Sequence, residues 1–239
     1  MRVFILTAAL LFAFGANAKP ISADIATHRI ELHASFSGAE LLLFGARNDP
    51  GDILAVIRGP ERNMLVRKKE RIAGMWMHVA KAKYDHVPQF FALASTKPLR
   101  EITNESLLQK LMLTPMAAIT RSADATTPHD FHHALLRIQT KARLYDASPA
   151  PISFFGETLF KTHFQFPDRL PPGDYTAEIY LIDKGRLVAS QSIPFTAIKT
   201  GFEAWIYALA HTQPLLYGLL SLSIALASGW LAHRIFRKR

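Results

Sequence analysis

Apolar and polar positions alternate along much of the chain. Ile30, Leu32, Ala34 and Phe36 occupy every second place, as do Phe160, Thr162, Phe164 and Phe166. Tyr175, Ala177, Ile179 and Leu181 repeat the pattern, and Leu187, Ala189, Gln191, Ile193, Phe195 and Ala197 extend it. A period of two sets such residues on one face of a strand. Denser apolar runs at Leu41–Phe44, Ile53–Ile57, Met75–Val79 and Phe90–Leu93 predict central strands or strands covered on both faces. These eight segments, broken by Gly, Pro and Asp, predict a mainly β domain: an Ig-like antiparallel β-sandwich.

The clearest local signal runs from Pro171 to Ala197. A Pro-Gly turn feeds one alternating strand, Asp183-Lys184-Gly185 reverses it, and a second strand returns. Tyr175 stands where a corner tyrosine would bond backbone upstream, or where an ordinary hairpin would bury it.

Two helices interrupt the strands, as insertions or as a layer on one sheet. One is predicted over Asn104–Met112, with Leu107, Leu108 and Leu111 inward. The other opens with Thr127 as N-cap, Pro128 in the first turn and Asp130 following. Its face carries Phe131, Leu135, Ile138, Ala142 and Tyr145.

Both termini speak of a membrane. Residues 1–18 read as one Arg, an apolar run and Ala16-Asn17-Ala18, the order of a secretory signal peptide. An uncleaved N-terminal anchor is the alternative. Leu215–Ala232 holds no charged residue and spans about 27 Å as a helix, enough for the hydrocarbon core. Trp205, Tyr207 and Tyr217 flank its entry, Trp230 and Phe236 its exit, and the tail beyond is basic. The positive-inside bias holds that tail in the cytoplasm. The predicted order is signal peptide 1–18, extracytoplasmic domain 19–200, juxtamembrane segment 201–213, transmembrane helix 214–233 and basic cytoplasmic tail 234–239.

Composition narrows the function classes. Among 239 residues there is no Cys, which excludes disulfides, thiolate nucleophiles and sulfur-ligated zinc. The net charge of +9 suggests nucleic acid until it is placed. Five of the 28 basic residues lie at the two ends, leaving 23 against 19 acids, so the body carries only +4. An extracytoplasmic domain so charged is not expected to bind nucleic acid.

Three features could carry chemistry. His129, His132 and His133 lie within one turn of a predicted helix beside Asp130. Two imidazoles there could share a cation, but further ligands must come from elsewhere; otherwise they form a polar face. Arg58, Arg62, Arg67, Lys68, Lys69 and Arg71 form a basic patch with Glu61 and Glu70 among them. It would attract anionic headgroups or an anionic solute, or else stand as a solvated loop. In the anchor, Gly218, Ser221, Ala225 and Gly229 make a stripe of small side chains, the kind that lets another helix approach. No nucleophile elbow, phosphate loop, dinucleotide turn or His-Glu-x-x-His occurs. Neither an enzyme nor a bound cofactor is expected.

Arg58-Gly59-Pro60, the Val66–Arg71 run, Phe36–Leu41, Phe91–Thr96, Pro172–Tyr175 and Gly229–Ala232 together resemble an uncharacterised transmembrane protein family of alphaproteobacteria. The resemblance covers nearly the whole chain. It implies an inner-membrane protein with a periplasmic domain, and no residue roles. Members occur near permeases of the sulfite-exporter type, which implies an accessory role. The expected function is therefore a non-enzymatic module for a membrane partner, or for self-association through the anchor. A periplasmic ligand- or metal-binding domain is the alternative.

Overall fold

The computed structural model describes residues 19–146 and 148–236. The expected signal peptide and the last three tail residues lie outside them. Seven strands come first: β1 (Ile21–Ile25), β2 (Arg29–Leu32), β3 (Ala39–Arg47), β4 (Asp52–Arg58), β5 (Glu61–Ile72), β6 (Met75–Pro88) and β7 (Phe91–Ser95). Four helices follow: α1 (Leu99–Ile102), α2 (Glu105–Lys110), α3 (Pro115–Arg121) and α4 (His129–Lys141). Then come β8 (Ala150–Pro151), β9 (Ser153–Phe155), β10 (Leu159–Phe166), β11 (Gly173–Asp183), β12 (Arg186–Lys199), α5 (Phe202–Thr212) and α6 (Pro214–Phe236).

Two sheets stack through the alternating residues. One has the order β1-β3-β10-β9, the other β2-β12-β11-β4-β7-β8. Leu43, Phe160 and Phe164 from the first meet Ile53, Ile57, Ile179 and Phe195 from the second in one buried cluster. The six-stranded sheet has a second covered face. Leu54, Val56, Tyr180 and Ile182 pack there with Ile102, Leu108, Ile119, Phe131 and Leu135 of the four helices. Ile53 to Ile57 are consequently all buried, as the unbroken apolar run predicts.

The mainly β class holds, but the sheets are not purely antiparallel. β2 pairs with β12, and β7 with β8, in parallel, so the six-stranded sheet is mixed. Short strands that return from the other sheet or from the helical layer reach these edges in the direction of their neighbour, which alternation cannot reveal. At the corner before β11, the Tyr175 hydroxyl donates to the Pro171 carbonyl at 2.6 Å. This is the upstream bond expected of a corner tyrosine, and burial raises the hydroxyl's pKa.

The second helix starts one residue later than its capping signal. Pro128 is the N-cap and makes no side-chain bond, while Tyr145 lies beyond the C-terminus, buried, its hydroxyl donating to the Pro88 carbonyl at 2.6 Å. The region of the first helix holds a shorter one, α2, capped by Asn104 through the Leu107 amide.

Met75–Val79 is the main departure. Its density predicts a covered strand, yet Met75 is 66% exposed and Trp76 71%. β5 and β6 form a two-stranded sheet of their own, joined near its root by an isolated bridge from Tyr84 to Ala123. Their ladder is nevertheless continuous with that of β4 and β7. The Gly59 amide donates to the Phe90 carbonyl, and the Gln89 amide to the Pro60 carbonyl, each within 2.9 Å. One long ribbon therefore begins inside the sheet, leaves it at Gly59 and ends at the Ala73-Gly74 turn. Both turn residues have positive φ, the requirement of a tight two-residue hairpin.

Candidate functional site

The ribbon is anchored at its root by Arg58. Its guanidinium forms an ion pair with Glu178 of β11 and donates to the Leu111 and Met112 carbonyls at 2.8 and 2.9 Å. Tyr180 donates to the same carboxylate at 2.7 Å. One side chain thus ties the sheet to the end of α2. Arg58 leaves the predicted basic patch and becomes a structural cation. A cleft of about 480 Å3 opens beside it, lined by charges of both signs, Glu61 and Asp124 against Arg121, with His86 among them.

Beyond the root, the pairing sorts side chains by face, because residues directly opposite in a ladder point the same way. The pairs Met64–Tyr84 and Val66–Ala82 face the helices and join their core. The intervening pairs point away: Leu65–Lys83, Arg67–Lys81, Lys69–His78 and Arg71–Trp76. Arg67, Lys69, Arg71 and Lys81 therefore make one cationic face, and none of them has an ion-pair partner among the described residues. Lys68 lies on the other face, bound to Glu70 at 2.8 Å, and that bond holds its pKa above the ordinary value. Arg62 is exposed near the root. At the tip, Ile72, Met75, Trp76 and Met77 are all largely exposed.

Three of the six predicted basic residues thus share a surface, and the sequence reading missed its fourth cation, Lys81, and its aromatic tip, Trp76. Odd positions 65 to 71 read Leu, Arg, Lys, Arg in the sequence, a period-two signal for one cationic face. The partner strand could be registered against them only through the Ala73-Gly74 reversal.

The histidines divide. His132 is buried, and its Nδ1 shares a hydrogen bond with the Tyr84 hydroxyl at 2.9 Å. Burial, and then the neighbouring His129 and His133, lower its pKa. Its ring centroid lies 5.6 Å from that of His129, while His129 and His133 are exposed. Among the described residues no group of three His, Asp or Glu is placed to hold a metal ion. Helix α4 turns His132 inward because it continues the apolar face of Phe131 and Leu135.

One further titratable group stands out. Asp146, half-buried beside Tyr145, has its carboxyl pushed up to about 6 by burial, against a lowering bond to the Leu93 backbone.

The anchor is α6. Pro214–Ile235 is the one stretch among the described residues long and apolar enough to cross a membrane, and no part of it is buried by the rest of the chain. Gly218 and Gly229 have open space where a side chain would stand, and the Ser221 hydroxyl bonds back to the Tyr217 carbonyl at 2.8 Å. The small-residue stripe is thus bare along the helix.

No curated protein matches the chain in sequence. The family model described as "Putative transmembrane protein (Alph_Pro_TM)" matches residues 20–238, domain and anchor together, and the chain belongs to that family.

Proposed function

We propose that this protein is a non-enzymatic, membrane-tethered interaction module. Its β domain lies in the periplasm, α6 crosses the inner membrane once, and the basic tail is cytoplasmic. It serves a membrane partner, for which the family resemblance suggests a permease of the sulfite-exporter type. The observation that carries this reading is the β5–β6 arm. An isolated two-stranded ribbon is marginally stable in water, and one that ends in Ile72, Met75, Trp76 and Met77 gains by being covered. An arm of this kind on a tethered domain suits docking to something outside the domain. The small-residue stripe of α6 supplies a second contact, helix against helix in the bilayer.

The test is capture of the tagged full chain from membranes after mild cross-linking, followed by mass spectrometry. The reading predicts a defined membrane protein enriched over a control that carries α5 and α6 alone. Equal recovery with the control would remove the domain from the interaction.

A further inference from the structure

We infer that the β5–β6 arm docks on the anionic lipid surface of the bilayer that holds α6. The inference rests on the reading of the arm as a docking element and names what it docks to. Three observations support it independently.

The first is charge. Arg67, Lys69, Arg71 and Lys81 share a face without a carboxylate among them. Basic side chains near an anionic surface contribute about 1 kcal/mol each, so four make a strong collective attraction. A second copy of the chain is a poor alternative occupant, because it would bring the same cationic face against this one.

The second is the tip. Trp76 stands beside Arg71 on the cationic face, and Met75, Met77 and Ile72 lie on the other. Aromatic rings settle at headgroup depth, where one side meets hydrocarbon and the other water. Cations behind an apolar tip match the layering of a lipid interface. A folded protein surface would require a groove shaped to the ribbon instead.

The third is where the arm leaves the domain. Pro60 lies against Gly173, where an added side-chain carbon would come within 2.9 Å of its ring. Gly173 pairs with Ala197, and β12 ends two residues later at Lys199 before the chain enters α5 and the anchor. Arm and anchor thus depart from the same end of the six-stranded sheet. The 12 residues of β5 reach about 40 Å, whereas the 11 residues of α5 rise about 16 Å. The length of β5 therefore permits contact of the tip with the bilayer.

The experiment exploits the absence of Cys. Met75→Cys in the full chain is labelled with an environment-sensitive fluorophore, and Lys184→Cys at the β11–β12 turn serves as control. Each is reconstituted into vesicles of phosphatidylcholine alone or of phosphatidylcholine with phosphatidylglycerol, both leaflets alike so that orientation does not matter. In the anionic vesicles the tip label should shift to the blue, resist aqueous iodide and be quenched by lipid-borne doxyl groups. The control should do none of these. Neutralising Arg67, Lys69, Arg71 and Lys81 to Gln should lower the docked-to-free ratio about five-fold for each charge removed. Equal exposure of the tip to iodide in both vesicle types would overturn the inference. Shielding from iodide in both types without lipid quenching would also overturn it. That second result means the arm sits on protein, and it leaves the docking-element reading intact.

Discussion

Arg58 on β4 and Glu178 on β11 form an ion pair across the six-stranded sheet, each side chain less than a third exposed. Glu178 pairs in register with Val56, two residues before Arg58, so the bond crosses the ladder diagonally. The same guanidinium holds the Leu111 and Met112 carbonyls. The arm therefore leaves the domain from a clamped root.

Removing that clamp should be costly. Breaking a largely buried pair strands the remaining charge, so Arg58→Met should lose about 3 kcal/mol of stability. Arg58→Lys should rescue little, since one ammonium cannot reach Glu178 and both carbonyls at once. Thermal melts of the full chain in detergent check this. A Lys variant as stable as wild type would show that charge alone suffices.

Asp146 gives a pH signature. Its carboxyl sits near 6 when folded against an ordinary value of 3.8, so the folded state favours the protonated form. Its contribution to stability is present below about pH 4, falls as pH rises towards 6, and stays lost above. Asp146→Asn should remove that slope. Discounted for partial exposure, the variant should gain on the order of 1–2 kcal/mol over wild type at pH 7 and nothing at pH 4. A gain independent of pH would place the effect elsewhere.

The orientation rests on the N-terminal segment and the basic tail. A reporter active only in the periplasm should work when fused after Thr200 and stay silent after Arg239. The reverse at either point would contradict the proposed orientation.

The anchor stripe predicts a separable effect. Replacing Ser221, Ala225 and Gly229 with Leu should leave insertion intact and reduce recovery of helix-bound partners, because larger side chains hold a neighbouring helix away. Leu219, Leu222 and Leu226 changed to Ile form the control. Unchanged recovery from the stripe variant would make α6 a plain tether.

Much of the fold is legible in the sequence because it depends on local periodicity. β10 follows its alternation residue by residue, β11 does so up to Ile179 and β12 from Ala189 on, while Leu187 is exposed beyond the register shift at Leu181/Ile182. The upstream bond of Tyr175 decides between the two readings its position allows. The anchor is equally plain, since eighteen uncharged residues have few other uses. What stays hidden is set by distant partners. Met75–Val79 reads as a buried strand because apolar density does not say whether another layer covers it. Arg58 reads as part of a surface patch because Glu178 lies 120 positions away. His132 reads as part of a polar helix face or of a shared cation site, and it is neither, because it is buried with its Nδ1 against the Tyr84 hydroxyl of β6. The cationic face was half visible: its β5 residues alternate in the sequence, while Lys81 and Trp76 join them only through register.

The proposed docking role of the arm is tested most directly by photo-cross-linking in intact membranes. A benzophenone amino acid placed at Met75 should form adducts, to lipid or to protein, at a yield well above the same group placed at Lys184. Neutralising Arg67, Lys69, Arg71 and Lys81 should abolish the difference. Equal, background-level yields at Met75 and Lys184 in the wild-type chain would contradict a docking role for the arm.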